Sequence, residues 1–151
     1  MNLSSYPFSL TEATRYTFIS KGKRDIQKVV EFLPGRPLKN FFNLAFGDLL
    51  PDDSIDDMAN SNNGDIVKVL TTVVRILEDF TLKYPQANIF FAGSTEERTI
   101  LYKRIIKRYY STFKERFGIN VIVMLNEQIK QIEFEQLGEM ELVGFLIKKN
   151  S

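Results

Sequence analysis

The stretch Ser61–Val74, SNNGDIVKVLTTVV, runs from small polar residues straight into an apolar segment, and its reading decides how the rest of the chain folds. Ile66, Val69, Val73, Ile76 and Phe80 recur three and four residues apart, with Val67, Leu70, Val74 and Leu77 as a parallel stripe. Asp65, Lys68, Thr72, Arg75, Asp79 and Lys83 make up the opposite, polar side. That spacing predicts an amphipathic helix over 65–83, stopped by Tyr84-Pro85, with an apolar face broad enough to pack on a sheet. The four residues ahead of it, Asn62-Asn63-Gly64-Asp65, read either as a ligand loop or as a helix cap. Asp65 favours the cap, because it puts negative charge where the helix dipole would otherwise draw an anion.

Upstream, Arg15–Ser20 and Asp25–Leu33 alternate moderately around a Lys21-Gly22-Lys23-Arg24 turn, with Ile26, Val30 and Phe32 on one face of the second strand. They predict a hairpin. After the Pro34-Gly35-Arg36-Pro37 punctuation, Phe41–Phe46 reads as a third, more buried strand. Gly47 to Gly64 is a long polar connection carrying Asp48, Asp52, Asp53, Asp56 and Asp57. An EF-hand frame fails there: setting Gly64 at the sixth position puts Ala59 first and Leu70 last, so no metal is expected.

Downstream, Asn88–Ala92 reads as a strand, and Gly93-Ser94-Thr95 opens a second long helix, with Ser94 and Glu97 at capping-box spacing. Leu101, Tyr102, Ile105, Ile106, Tyr109, Phe113 and Phe117 form its apolar side, and Gly118 suits its end. Ile119–Leu125 and Leu142–Lys148 read as strands, with polar residues 126–141 between them. The expected fold is α+β: a mixed, largely antiparallel sheet in the order β-β-β-α-β-α-β-β with two long helices, in one domain spanning 1–151. Parallel strands at 41–46 and 88–92 would bring both helix starts to one sheet edge. The candidate ligand-binding residues are therefore Asn62, Asn63, Gly64 and Asp65, with Gly93, Ser94, Thr95 and Arg98. Arg98 lies in a first helical turn, where the dipole disfavours a cation, and is expected to reach a carboxylate such as Asp65 or Asp48.

Composition excludes several chemistries. With neither cysteine nor histidine, the chain has no disulfide, thiol nucleophile, Cys/His zinc site or Ser-His-Asp triad. No apolar run approaches the ~20 residues that span a bilayer, and the first ten residues, MNLSSYPFSL, carry no signal-peptide pattern; a cytoplasmic location is the default. The formal charge of +1 makes nucleic acid an unexpected partner, and the cations Lys103, Arg104, Lys107, Arg108, Lys114 and Arg116 read as a solvated helix face. The sequence names no partner and leaves a protein partner or a homodimer open. Neither a Gly-x-Gly-x-x-Gly nor a Walker A pattern occurs.

The pair Ser61-Asn62-Asn63-Gly64-Asp65-x-x-Lys68-Val69-Leu70-x-Thr72-Val73 and Gly93-Ser94-Thr95-x-x-Arg98-Thr99-x-Leu101-Tyr102, with Phe42–Asp48 upstream, resembles a family of small, uncharacterised bacterial proteins, a domain of unknown function. That family carries no activity over. The chain is also distantly similar to the GNAT acyltransferase superfamily. That superfamily shares the predicted element order, and Thr95-x-x-Arg98-x-x-x-Tyr102-Lys103 echoes the start of its last helix. The resemblance implies acetyl-CoA as cofactor and Tyr102 as general acid. The superfamily's pyrophosphate loop, Gln/Arg-x-x-Gly-x-Gly/Ala, fits no register around Gly64, since Asn62, Ala59, Ser61 and Ile66 occupy the required positions. The reading is a degenerate or non-catalytic binding module, with a divergent N-acyltransferase as the alternative and a toxin–antitoxin or phage-response component as a further one.

Overall fold

The computed structural model describes residues 4–57 and 62–151. Ala59, weighed above as a calcium-loop position, and Ser61, the first residue of the opening stretch, lie outside the described residues. The chain is α+β, with strand pairing that is mostly antiparallel and three α-helices among the described residues. It groups into two compact units, one drawing on Met1–Pro34 and Asn43–Tyr84, the other on Gly35–Phe42 and Pro85–Ser151.

In the first unit, β1 (Phe8–Glu12), β2 (Arg15–Lys21), β3 (Asp25–Pro34) and β4 (Phe41–Leu49) lie side by side in that order, and a two-residue β5 (Ile55–Asp56) pairs with β4. The predicted β2–β3 hairpin is present, with Tyr16 opposite Val30, Phe18 opposite Lys28 and Ser20 opposite Ile26. Period-two alternation puts Tyr16, Phe18, Val30 and Phe32 on one buried face. Helix α1 (Ile66–Lys83) covers that face with Val69, Val73, Ile76, Leu77 and Phe80, as its periodicity requires. The Phe32 and Phe80 rings stack with centroids 3.8 Å apart. The chain enters through Tyr6, whose N–H donates to Thr72 Oγ1 (2.8 Å).

In the second unit, β6 (Asn88–Phe91), β9 (Glu141–Lys149), β7 (Phe117–Leu125) and β8 (Gln128–Glu133) are neighbours in that order, all antiparallel. The register aligns Ile89, Ile147 and Ile119, then Phe91, Phe145 and Val121, so one face is continuously apolar. Phe145 and Phe91 stack at 5.0 Å, and Tyr102 of α2 (Glu96–Arg108) meets the edge of Phe91 at 6.1 Å.

Three expectations are corrected. Strands β1, β5 and β8 add to the predicted order. The second helix is not continuous to Phe117: α2 stops at Arg108, and a single turn, α3 (Tyr110–Phe113), follows. Tyr109-Tyr110-Ser111-Thr112 are weak helix formers, the tyrosines and Thr112 because a helix restricts their side chains and Ser111 because its short hydroxyl competes for backbone groups, and Tyr109 sits at φ −109°, ψ 19°, off the helical values. Gly118, expected to end that helix, instead lies within β7. Among the described residues no helix is long and apolar enough to cross a membrane.

Candidate functional site

Asn62-Asn63-Gly64-Asp65 is fastened to the β2–β3 turn. Asn63 is only 5% exposed. Its Nδ2 donates to Ser20 Oγ (2.9 Å) and to the Arg24 carbonyl (2.7 Å), and its Oδ1 accepts from the Arg24 N–H (2.9 Å). Its backbone carbonyl accepts from the Lys23 N–H at 2.9 Å. The approach is so close that a Cβ at Gly22 would lie 1.9 Å from that carbonyl oxygen, so the turn needs glycine there. Gly64 takes φ +81°, which lets the chain swing from the turn into α1.

Asp65 occupies the N-cap position without capping: its carboxylate makes no bond to the helix backbone. Instead Oδ2 accepts from Tyr6 Oη–H (2.6 Å) and Ser20 Oγ–H (2.5 Å). The Tyr6 oxygen in turn accepts from the Lys21 N–H at 3.0 Å, and the Lys68 ammonium lies 4.3 Å from the centre of the Tyr6 ring. Burial, then the bond to Asp65, raise the Tyr6 phenol above its ordinary range. The expected cap is therefore corrected to a side-chain junction joining the N-terminal segment, β2 and α1. Asp48, the other carboxylate considered for Arg98, forms an ion pair with Lys28, itself 8% exposed.

In the second unit, Gly93 packs against the first turn of α2: a Cβ there would lie 2.4 Å from the Thr99 nitrogen. The Gly93 N–H donates to Thr99 Oγ1 at 2.9 Å. The cap is Thr95, whose Oγ1 accepts from the Arg98 N–H at 3.2 Å, which displaces the expected Ser94 cap by one residue. Ser94 Oγ accepts from Arg98 Nη1 at 2.9 Å. Tyr102 is half-buried against Phe91. Among the described residues no group of three or more Asp or Glu side chains gathers as a metal site would require.

The structure brings Asn63 and Asp65 into one polar junction, and Gly93, Thr95, Arg98 and Thr99 into another. Sequence reasoning missed Tyr6, Ser20 and Lys28. Two of them carried a signal: Ser20 extends the buried Tyr16, Phe18 face of β2, and Lys28 interrupts Ile26, Val30 and Phe32 on β3. A polar group at a buried strand position needs a partner, and each has one. Tyr6 gave none, since its partners lie 15, 59 and 66 residues away.

No curated protein and no solved structure matches this chain. Over residues 2–150 it matches a family of unknown function (DUF6934), and the chain belongs to that family.

Proposed function

We propose that the chain is a non-catalytic binding module. The observation that supports this reading is the commitment of Asp65: at the start of α1, its carboxylate is held by the Tyr6 and Ser20 hydroxyls. A loop that grips pyrophosphate offers backbone N–H groups at a helix start without a competing anion. Here the negative charge is built in, and the Asn63 amide is spent on the β2–β3 turn. On this reading Asn63 and Asp65 hold the loop in shape. The exposed Asn62 and Gly64, and in the second unit Ser94 and Thr95 with the half-buried Gly93 and Arg98, are the residues offered to a partner.

The alternative is a GNAT-like acyltransferase using Tyr102 as acid. Thermal unfolding with and without millimolar acetyl-CoA separates the two, because a ligand that binds only the folded state raises the melting temperature. The binding-module reading expects no shift. A reproducible rise, together with acyl transfer that Tyr102→Phe abolishes, would overturn it in favour of the enzyme.

A further inference from the structure

The near-zero net charge hides a segregation. The second unit carries twelve Lys and Arg against eight Asp and Glu, and the first carries eight against eleven, so they stand at +4 and −3. Much of the excess sits on α2 and the turn after it. Lys103 and Lys107 are one helical turn apart, as are Arg104 and Arg108, and Arg104 and Lys107 are three residues apart. Arg104 and Arg108 lie on the side of α2 away from its buried Thr99 and Ile106, with Lys107 at the flank, whereas Lys103, four residues after Thr99, is half-buried and donates to the Gly138 carbonyl at 3.5 Å. Arg104, Lys107 and Arg108 are exposed, as is Lys114 at the end of α3. Among the described residues none of these four makes an ion pair; Arg108 lies over the Tyr109 ring and Lys114 over the Tyr110 ring.

Like charges at these spacings work against the helix. The dipole offsets this for Lys107 and Arg108 in the last turn, but not for Lys103 and Arg104. An array of this kind suits a polymer with regularly repeated negative charge. A protein partner would need a cluster of apolar anchors at the centre of its footprint. The only large hydrophobic side chain of α2 that is exposed is Ile100, one turn before Arg104.

We infer that the α2 face bearing Arg104, Lys107 and Arg108 binds a nucleic-acid strand through its phosphate backbone, without reading sequence. The inference uses a different surface from the loops above and does not depend on them, so the acetyl-CoA experiment bears on those loops alone. The test is fluorescence anisotropy of an end-labelled single-stranded oligodeoxynucleotide across a sodium chloride series. Three phosphate contacts give a slope of log K against log salt of about −2. Arg104→Glu/Arg108→Glu is expected to weaken binding at least about tenfold at low salt and flatten that slope. Arg104→Gln/Arg108→Gln, which keeps helix-forming residues, should weaken it less but in the same direction. Lys21→Glu/Lys23→Glu alters net charge equally in the first unit and should leave binding nearly unchanged. Circular dichroism establishes that each variant is folded. Absence of wild-type binding at the lowest salt overturns the inference, as does equal weakening by the two charge-reversal pairs. Tighter binding of poly-glutamate than of the oligonucleotide would overturn it in favour of an acidic protein surface.

Discussion

Tyr16 and Asp79 show how a single buried hydroxyl sets a charge. The Tyr16 Oη–H donates to Asp79 Oδ2 at 2.7 Å, and Lys83 Nζ reaches the same oxygen at 3.0 Å. The Tyr16 bond, before the lysine, holds Asp79 below its ordinary value of 3.8, while burial and that same bond push the Tyr16 phenol above its ordinary 10.0. A carboxylate depressed in the folded state contributes stability that is present above about pH 4 and is lost as pH falls through its folded pKa. A phenol raised in the folded state contributes stability that is full below about pH 10 and is lost as pH climbs beyond it. Stability should therefore be flat with respect to these groups between the two limits and fall on both sides. Tyr16→Phe should cost about 1.5–3 kcal/mol at neutral pH, as expected for a hydrogen bond to a charged group. It should also move the Asp79 carboxyl up toward 3.8 in a carbon-13 NMR titration. An unmoved Asp79 would mean that Lys83, and not the phenol, sets its titration.

Among the elements, α1 was readable because eighteen residues of unbroken periodicity outvote any local ambiguity. Strand β8 was not. In Gln-Ile-Lys-Gln-Ile-Glu the two isoleucines are three apart and so on opposite faces, and Ile129 is 65% exposed. What makes it a strand is the hairpin with β7, closed by Asn126 and Glu127 at φ 51° and 63°. Those are the left-handed values of a two-residue turn, here without the glycine that would announce it. The cap of α2 lies one residue beyond the one its capping-box spacing predicts, because Ser94 and Thr95 are both good caps and only geometry chooses between them. Thr95→Ala should therefore cost about 1 kcal/mol of stability in urea unfolding, and Ser94→Ala less than about 0.5 kcal/mol. The reverse order would restore Ser94 as the cap.

At the scale of the whole molecule, the chain order exposed the α+β class and nearly all of the longer elements. The candidate site was legible only as a set of residues. That Asn63 and Asp65 deserved notice follows from their place before α1. That they face inward follows from Ser20, Arg24 and Tyr6, whose separations of 43, 39 and 59 residues leave no mark on local pattern. The first unit depends on this junction: the N-terminal segment, the β2–β3 turn and α1 meet there through side chains, and Gly22 makes room for it. The central claim is that Asn63 and Asp65 staple the loop before α1 into the fold and do not face a ligand, and it rests most directly on Asn63. Removing its amide takes one donor from the buried Ser20 hydroxyl, which keeps its own bond to Asp65, and takes the Asn63 partners from the Arg24 N–H and carbonyl. Asn63→Ala should lower the free energy of unfolding in urea by about 1–3 kcal/mol with the slope unchanged. A variant as stable as the parent would contradict the account and return Asn63 to the role of a ligand-facing residue.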